Sequence, residues 1–260
     1  MNPADILKKI IATKHIEIKN QESQRDALKK AAYEAGPTTK DFAQALQVNS
    51  GLAVIAEVKK ASPSAGVISA DFDPVKTAKN YQTLGAAAIS VLTDKDYFQG
   101  SIDYLKQIRQ EVELPLLRKD FIIDELQIHE ARVAGADTFL LIAAVLTEDE
   151  MRNFLAIGRE FAMEALVEIH DEEEAHKALA AGAKIIGVNN RDLRNFTTDL
   201  SLTGKLAKFI PEDKILVGES GIKTGKDSRQ LLDCGCSAIL VGESLMRDPQ
   251  KFKELQAGQA

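Results

Sequence analysis

From Gly51 onward, short apolar runs alternate with longer stretches in which apolar positions recur at helical spacing. Apolar runs of roughly four to eight residues bounded by turn signals predict buried strands, and the stretches between them predict helices. Four times a glycine opens the run: Gly85 before 86–91, Gly135 before 136–141, Gly182 before 183–188 and Gly235 before 236–241. These glycines lie 50, 47 and 53 residues apart, a period that fits two strand–helix units. Glycine suits the left-handed residue that ends a helix. Between these runs lie four more, at 53–59, 116–120, 165–169 and 215–220. Eight strands alternating with helices predict an α/β fold, a closed (β/α)8 TIM barrel, with a doubly wound open sheet as the alternative. The barrel is favoured because no Gly-x-Gly-x-x-Gly follows the first strand.

Ahead of this pattern, residues 1 to about 48 are rich in Lys, Glu, Gln and Ala, with Ile6, Ile10 and Ile11 and later Phe42 and Leu46 at helical spacing. Gly36-Pro37 divides two helical pieces. The expectation is one domain over residues 1–260, with a helical N-terminal extension that covers an end of the core or forms part of a lid.

Composition narrows the partners. With 45% hydrophobic and 28% charged residues and a formal net charge of -6, the chain reads as a soluble globular enzyme without a surface for nucleic acid. The longest apolar run, 139–146, is too short to span a bilayer, and the first residues lack the apolar segment of a signal peptide. No membrane association and a cytoplasmic location are expected. Cys234 and Cys236 have no matching Cys or His cluster and read as small core residues beside a strand. Of the four histidines, only His170 follows a strand end, and a surface loop position is the preferred reading for it.

The run 116–120 ends abruptly in charge. Side chains alternate along a strand, so Leu117 and Lys119 share a face and Lys119 stands at the lip of an apolar interior. An ammonium there loses hydration, and its pKa is expected to fall toward neutrality, which suits proton donation or imine formation. The competing reading is a lysine whose stem packs while its head reaches water, and taken alone that reading is the stronger. Other strand ends are ionisable too. Glu57 and Lys59 lie two apart on the first strand, Glu168 ends the fifth, Asn189 and Arg191 end the sixth, and Glu219 ends the seventh. A structural pair explains Glu57 with Lys59 equally well. Folding alone gives no reason to gather so many costly charges at the end where barrels keep active sites.

The last two strands are each followed by glycine-containing turns, with Ser220-Gly221 after one and Gly242-Glu243 after the other. Backbone amides there commonly hold a phosphate, so a phosphorylated small molecule is the expected partner. That reading requires the Glu243 side chain to point away, leaving its amide inward.

Four ordered segments, 55–64, 117–122, 188–193 and 218–222, resemble the indole-3-glycerol-phosphate synthase family over essentially the whole chain. The end shortly after the eighth unit resembles the stand-alone enzyme. The resemblance implies a carboxy-lyase of tryptophan biosynthesis that uses no metal or organic cofactor. Its substrate would be 1-(2-carboxyphenylamino)-1-deoxyribulose 5-phosphate, closed to indole-3-glycerol phosphate with loss of carbon dioxide and water. It further implies Lys119 as proton donor, Glu168 as base, Lys59 at the substrate carboxylate and in acid catalysis, and Glu57 holding the lysines. Asn189, Arg191 and Glu219 would contact polar groups of the substrate. Ser62, Ser220, Gly221, Gly242 and the amide of Glu243 would surround the phosphate, and Phe98, Phe121, Leu140 and Leu193 would wall the aromatic ring. A monomer or weak homodimer is expected. A Schiff-base aldolase or isomerase using Lys119, and a barrel that only binds a phosphorylated metabolite, are the alternatives.

Overall fold

The computed structural model of the chain describes residues 6–192 and 196–257. Leu193, expected at the cavity wall, lies outside the described residues. Three helices come first: α1 (Ile6–Gln21), α2 (Arg25–Ala35) and the short α3 (Phe42–Ala45). Among the described residues eight parallel strands then close into a barrel. They are β1 (Ala53–Val58), β2 (Ala88–Leu92), β3 (Leu116–Lys119), β4 (Thr138–Ile142), β5 (Leu166–Ile169), β6 (Ile185–Asn189), β7 (Ile215–Glu219) and β8 (Ala238–Val241). β1 pairs with both β2 and β8, which excludes the open-sheet alternative. The crossover helices are α4 (Pro74–Leu84), α5 (Ile102–Glu111), α6 (Glu125–Val133), α7 (Glu148–Glu160), α8 (Glu172–Ala181), α9 (Ser201–Leu206) and α10 (Gly225–Asp233), with α11 (Glu243–Arg247) and α12 (Phe252–Ala257) after β8.

The four glycine-led strands each begin two residues later than predicted, and the reason is local. Gly85, Gly135, Gly182 and Gly235 take left-handed φ between 90° and 97°. The next residue in each case, Ala86, Ala136, Ala183 or Cys236, still donates its N–H back to the preceding helix. That bond closes a helix-ending motif, so pairing in the sheet starts only afterwards. Cys234 corrects the reading of both cysteines as core. It is a partly exposed cap of α10, while Cys236 is buried.

Alternation sorts each strand into two faces. Ala53, Ile55, Leu117, Leu140, Leu166, Ile185, Val217 and Leu240 point inward and fill the barrel. Val54, Ala56, Ile89, Leu141, Val167 and Ile239 point outward under the helices. Phe42 and Leu46 join the inner cluster and plug the barrel beside the start of β1. At the other end Ile6, Leu7 and Ile10 of α1 border the cavity described below. The N-terminal helices thus pack at both ends of the barrel, Phe42 and Leu46 at one and α1 beside the cavity at the other. No helix among the described residues is long and apolar enough to cross a membrane.

Candidate active site

A cavity of about 520 Å³ opens at the C-terminal ends of the strands, under α1. Every expected site residue apart from Leu193 lines it. The same alternation that fills the barrel with aliphatic side chains turns Glu57, Lys119, Glu168, Asn189 and Glu219 inward at the last inward-facing position of their strands. Lys59 and Arg191 follow just beyond β1 and β6.

Lys119 stands between carboxylates. Its Nζ donates to Glu168 Oε2 at 3.4 Å and lies 3.7 Å from Glu219 Oε2. Asn189 Nδ2 donates to the other Glu168 oxygen at 3.1 Å, and Asn189 Oδ1 accepts the Arg191 amide at 3.1 Å. Lys59 Nζ donates to Glu57 Oε1 as a close ion pair. Arg191 donates from its guanidinium to the Phe196 carbonyl at 3.2 Å.

The electrostatics reverse one expectation. Burial does work to lower the Lys119 pKa, but the combined field of Glu168, Glu219 and Glu57 prevails and holds it above its ordinary value. Lys119 is thus a firmly charged ammonium, poorly suited to attack a carbonyl and form an imine. The carboxyls divide by environment. Burial and the neighbouring Glu168 and Glu57 push Glu219 up to about 8, against the pull of Lys119. Glu168 is held low: burial opposes ionisation, but Lys119, His170 and the Asn189 bond favour it. The two carboxyls titrate as a pair, with ionisation favoured at Glu168 and protonation favoured at Glu219.

Two glycines make this crowding possible. A Cβ at Gly187 would run into Glu219 Oε1, and one at Gly242 would run into Glu57 Oε1 and lie 2.9 Å from Lys59 Nζ. Ser220 and Gly221, which also line the cavity, take left-handed φ of 63° and 78° directly after Glu219. A non-glycine residue in that region is strained by about 1–2 kcal/mol, and such strain clusters at functional sites. Gly242 precedes α11, and Glu243 turns its carboxylate along that helix to Arg247, 3.1 Å from its Nε. Ser62 and Ser64, in the turn after β1, line the same cavity. Phe98 and Phe121 face one another with ring centroids 6.0 Å apart, near the buried Leu140.

His170 corrects the surface-loop reading. It is largely buried, with Nε2 3.6 Å from Glu168 Oε1 and Nδ1 3.3 Å from Glu174 Oε2. Burial acts to lower its pKa, but Glu174 and Glu168 raise it overall. Glu174, in the first turn of α8, also accepts the His170 amide at 2.7 Å. Ile6, Leu7 and Ile10 were also not foreseen at the cavity.

Fold and cavity together define an enzyme of the (β/α)8 barrel class, with its ionisable groups gathered at the carboxyl ends of the strands. Its likeness to solved barrels such as thiamine phosphate pyrophosphorylase from Pyrococcus furiosus (TM-score 0.58, 16% identity, 79% of this chain and 92% of that one) extends to the fold alone. Sequence carries the comparison further. A family model described as indole-3-glycerol phosphate synthase matches residues 7–257. Curated proteins of that name are 50% identical in Desulfotalea psychrophila over 245 residues, covering 94% of each chain. Another, in Acetivibrio thermocellus, is 46% identical over 261 residues, covering 97% of this chain and 99% of that one. The chain belongs to the indole-3-glycerol phosphate synthase family. The reaction of that family is a decarboxylating ring closure in tryptophan biosynthesis.

Proposed function

We propose that this chain closes the indole ring of 1-(2-carboxyphenylamino)-1-deoxyribulose 5-phosphate by general acid–base catalysis, with Lys119 as the acid and Glu168 as the base. The ring carbon bearing the carboxylate attacks the ketone carbon, and the carbonyl oxygen takes a proton from Lys119. The substrate nitrogen feeds electrons into the ring during this step. Carbon dioxide then leaves, and its bonding pair restores the aromatic ring. In the dehydration the hydroxyl departs as water with a proton from Lys59 or Lys119. Glu168 removes the proton whose loss completes the indole.

The observation that carries this reading is the 3.4 Å approach of Lys119 to Glu168 within a single cavity. A held-down carboxylate beside a firmly charged ammonium is a base and an acid set side by side. Lys59, paired with Glu57, is placed for the substrate carboxylate, and Asn189 orients Glu168. Glu219 and Arg191 contact the polar atoms of the sugar chain. Phe98, Phe121 and Leu140 support the aromatic ring, as Leu193 would. Ser62, Ser220, Gly221, Gly242 and the Glu243 amide receive the phosphate, a role supported by the Glu243 carboxylate being drawn off by Arg247.

One chain supplies every named group among the described residues, which supports action as a monomer or weak homodimer and treatment of residues 1–260 as one domain, and membership of a biosynthetic enzyme family supports a cytoplasmic location. The test is incubation with the ribulose phosphate adduct while indole absorbance is followed. A rise in absorbance that stoichiometrically matches released carbon dioxide is expected, and its absence overturns the assignment.

A further inference from the structure

On α1 the buried positions are Ile6, Ile10, Lys14 and Ile18, every fourth residue along one face. The odd member is Lys14, only 2% exposed. A buried ammonium must be paired, and here the partners come from two strand–helix loops. Lys14 Nζ lies 2.8 Å from Asp94 Oδ2 and 3.1 Å from Asp120 Oδ1, with Glu17 of its own helix at 2.8 Å. Asp94 and Asp120 are 0% and 3% exposed.

Each of these carboxylates has a second task. Asp94 Oδ1 accepts the backbone amides of Tyr97 at 2.9 Å and Phe98 at 3.1 Å. Asp120 Oδ1 accepts the amide of Phe121 at 2.8 Å, while its Oδ2 takes the Thr93 hydroxyl at 2.6 Å and Arg118 at 3.2 Å. The groups that hold Lys14 therefore also shape the turns that present Phe98 and Phe121 to the cavity. Asp120 directly follows Lys119. One and two turns back along α1, Ile10 and Ile6 border the same cavity. A second link is the hydrogen bond shared by the Thr13 and Tyr97 hydroxyls at 3.2 Å.

We propose that Lys14 is a positioning residue for ring closure: it fixes the α1 roof and the two aromatic walls in one register around the aromatic half of the substrate. This rests on the reading of the cavity given under Proposed function and adds to it a residue that never touches the substrate. The opposing account is an anchor that only attaches α1 to the barrel. The two differ in what the folded enzyme does. An anchor changes stability and leaves the kinetic constants of the folded fraction alone. A positioning residue changes KM and kcat, since misplacing a bound reactant by about 1 Å costs up to roughly a hundredfold in rate.

The experiment compares Lys14→Met, Asp94→Asn and Lys119→Ala under conditions where urea melts show each to be folded. Lys14→Met is expected to lower kcat/KM by about ten- to a hundredfold, the larger share in KM. Its amides at residues 6–14 should exchange hydrogen faster while those of the barrel strands do not. Asp94→Asn breaks the same bridge from the other side and should raise KM severalfold. Wild-type KM and kcat in Asp94→Asn overturn the proposal whatever becomes of Lys14→Met, and so do wild-type constants in a folded Lys14→Met. Lys119→Ala separates the two readings: wild-type turnover there removes the acid assignment itself. An inactive Lys119→Ala beside a kinetically normal Lys14→Met removes only the role of Lys14.

Discussion

Lys119 Nζ and Glu168 Oε2 meet at 3.4 Å across the mouth of the barrel, one from β3 and the other from β5. Each favours the charged form of the other, across the single intervening strand β4. Substrate entering between them takes over part of this pairing, and the ammonium then faces a carbonyl oxygen that grows more basic as the new bond forms. That change in partner is what makes so well stabilised a cation into an acid.

Replacing Lys119 by alanine is expected to lower turnover by about two to four powers of ten, far more than it changes affinity. The substitution also leaves Glu168 and Glu219 without their shared cation. Turnover near the wild-type value in steady-state assays would remove Lys119 from the chemistry.

Glu168→Gln keeps the shape and the hydrogen bond to Asn189 but cannot accept a proton. Ring closure and decarboxylation should proceed while dehydration slows. Single-turnover experiments are expected to show carbon dioxide released ahead of indole, with an intermediate accumulating between them. If both products instead appear together at the slowed rate, the division of labour is wrong.

Glu219 gives a prediction about pH. Its carboxyl titrates near 8 in the folded protein against an ordinary value of 4.5, so the native state retains a proton that the unfolded chain releases between those values. Stability from this group is therefore full below about 4.5 and declines as pH rises toward 8, by on the order of a few kcal/mol in all. Glu219→Gln lacks the loss. Urea midpoints at pH 5 and pH 9 should show the variant gaining on the wild type with rising pH, and parallel behaviour at both would contradict the raised value.

The barrel was legible because its strands are aliphatic runs punctuated by glycines; alternation put Lys119 on the face of Leu117 and Glu57 on that of Lys59, while Glu168 and Glu219 were legible as ionisable strand ends. What failed was anything set by groups far apart in the chain. The direction of the Lys119 shift is not legible because desolvation is visible in one strand, whereas the opposing carboxylates arrive from β1, β5 and β7. The pairing of Lys14 is hidden for the same reason, since Asp94 and Asp120 lie 80 and 106 residues further on. His170 was different. Glu174 lies only four residues on, in the first turn of α8, so this contact is local in the sequence.

Gly187 tests whether the space around Glu219 is as tight as the geometry says. Its position in β6 faces the barrel interior, and a methyl there meets Glu219 Oε1 and then Leu166 Cδ1 at 3.2 Å. The backbone itself accepts alanine, because φ is not left-handed at this residue. Gly187→Ala should therefore cost about 1–3 kcal/mol through overpacking, and turnover should fall as Glu219 is pushed away from Lys119. Shortening the acid relieves the clash. The double variant Gly187→Ala, Glu219→Asp is expected to regain most of the lost stability in a urea melt without regaining turnover, because the shorter carboxylate stands further from Lys119. A double variant no more stable than the single one would place the clash elsewhere, against Leu166 rather than the carboxylate.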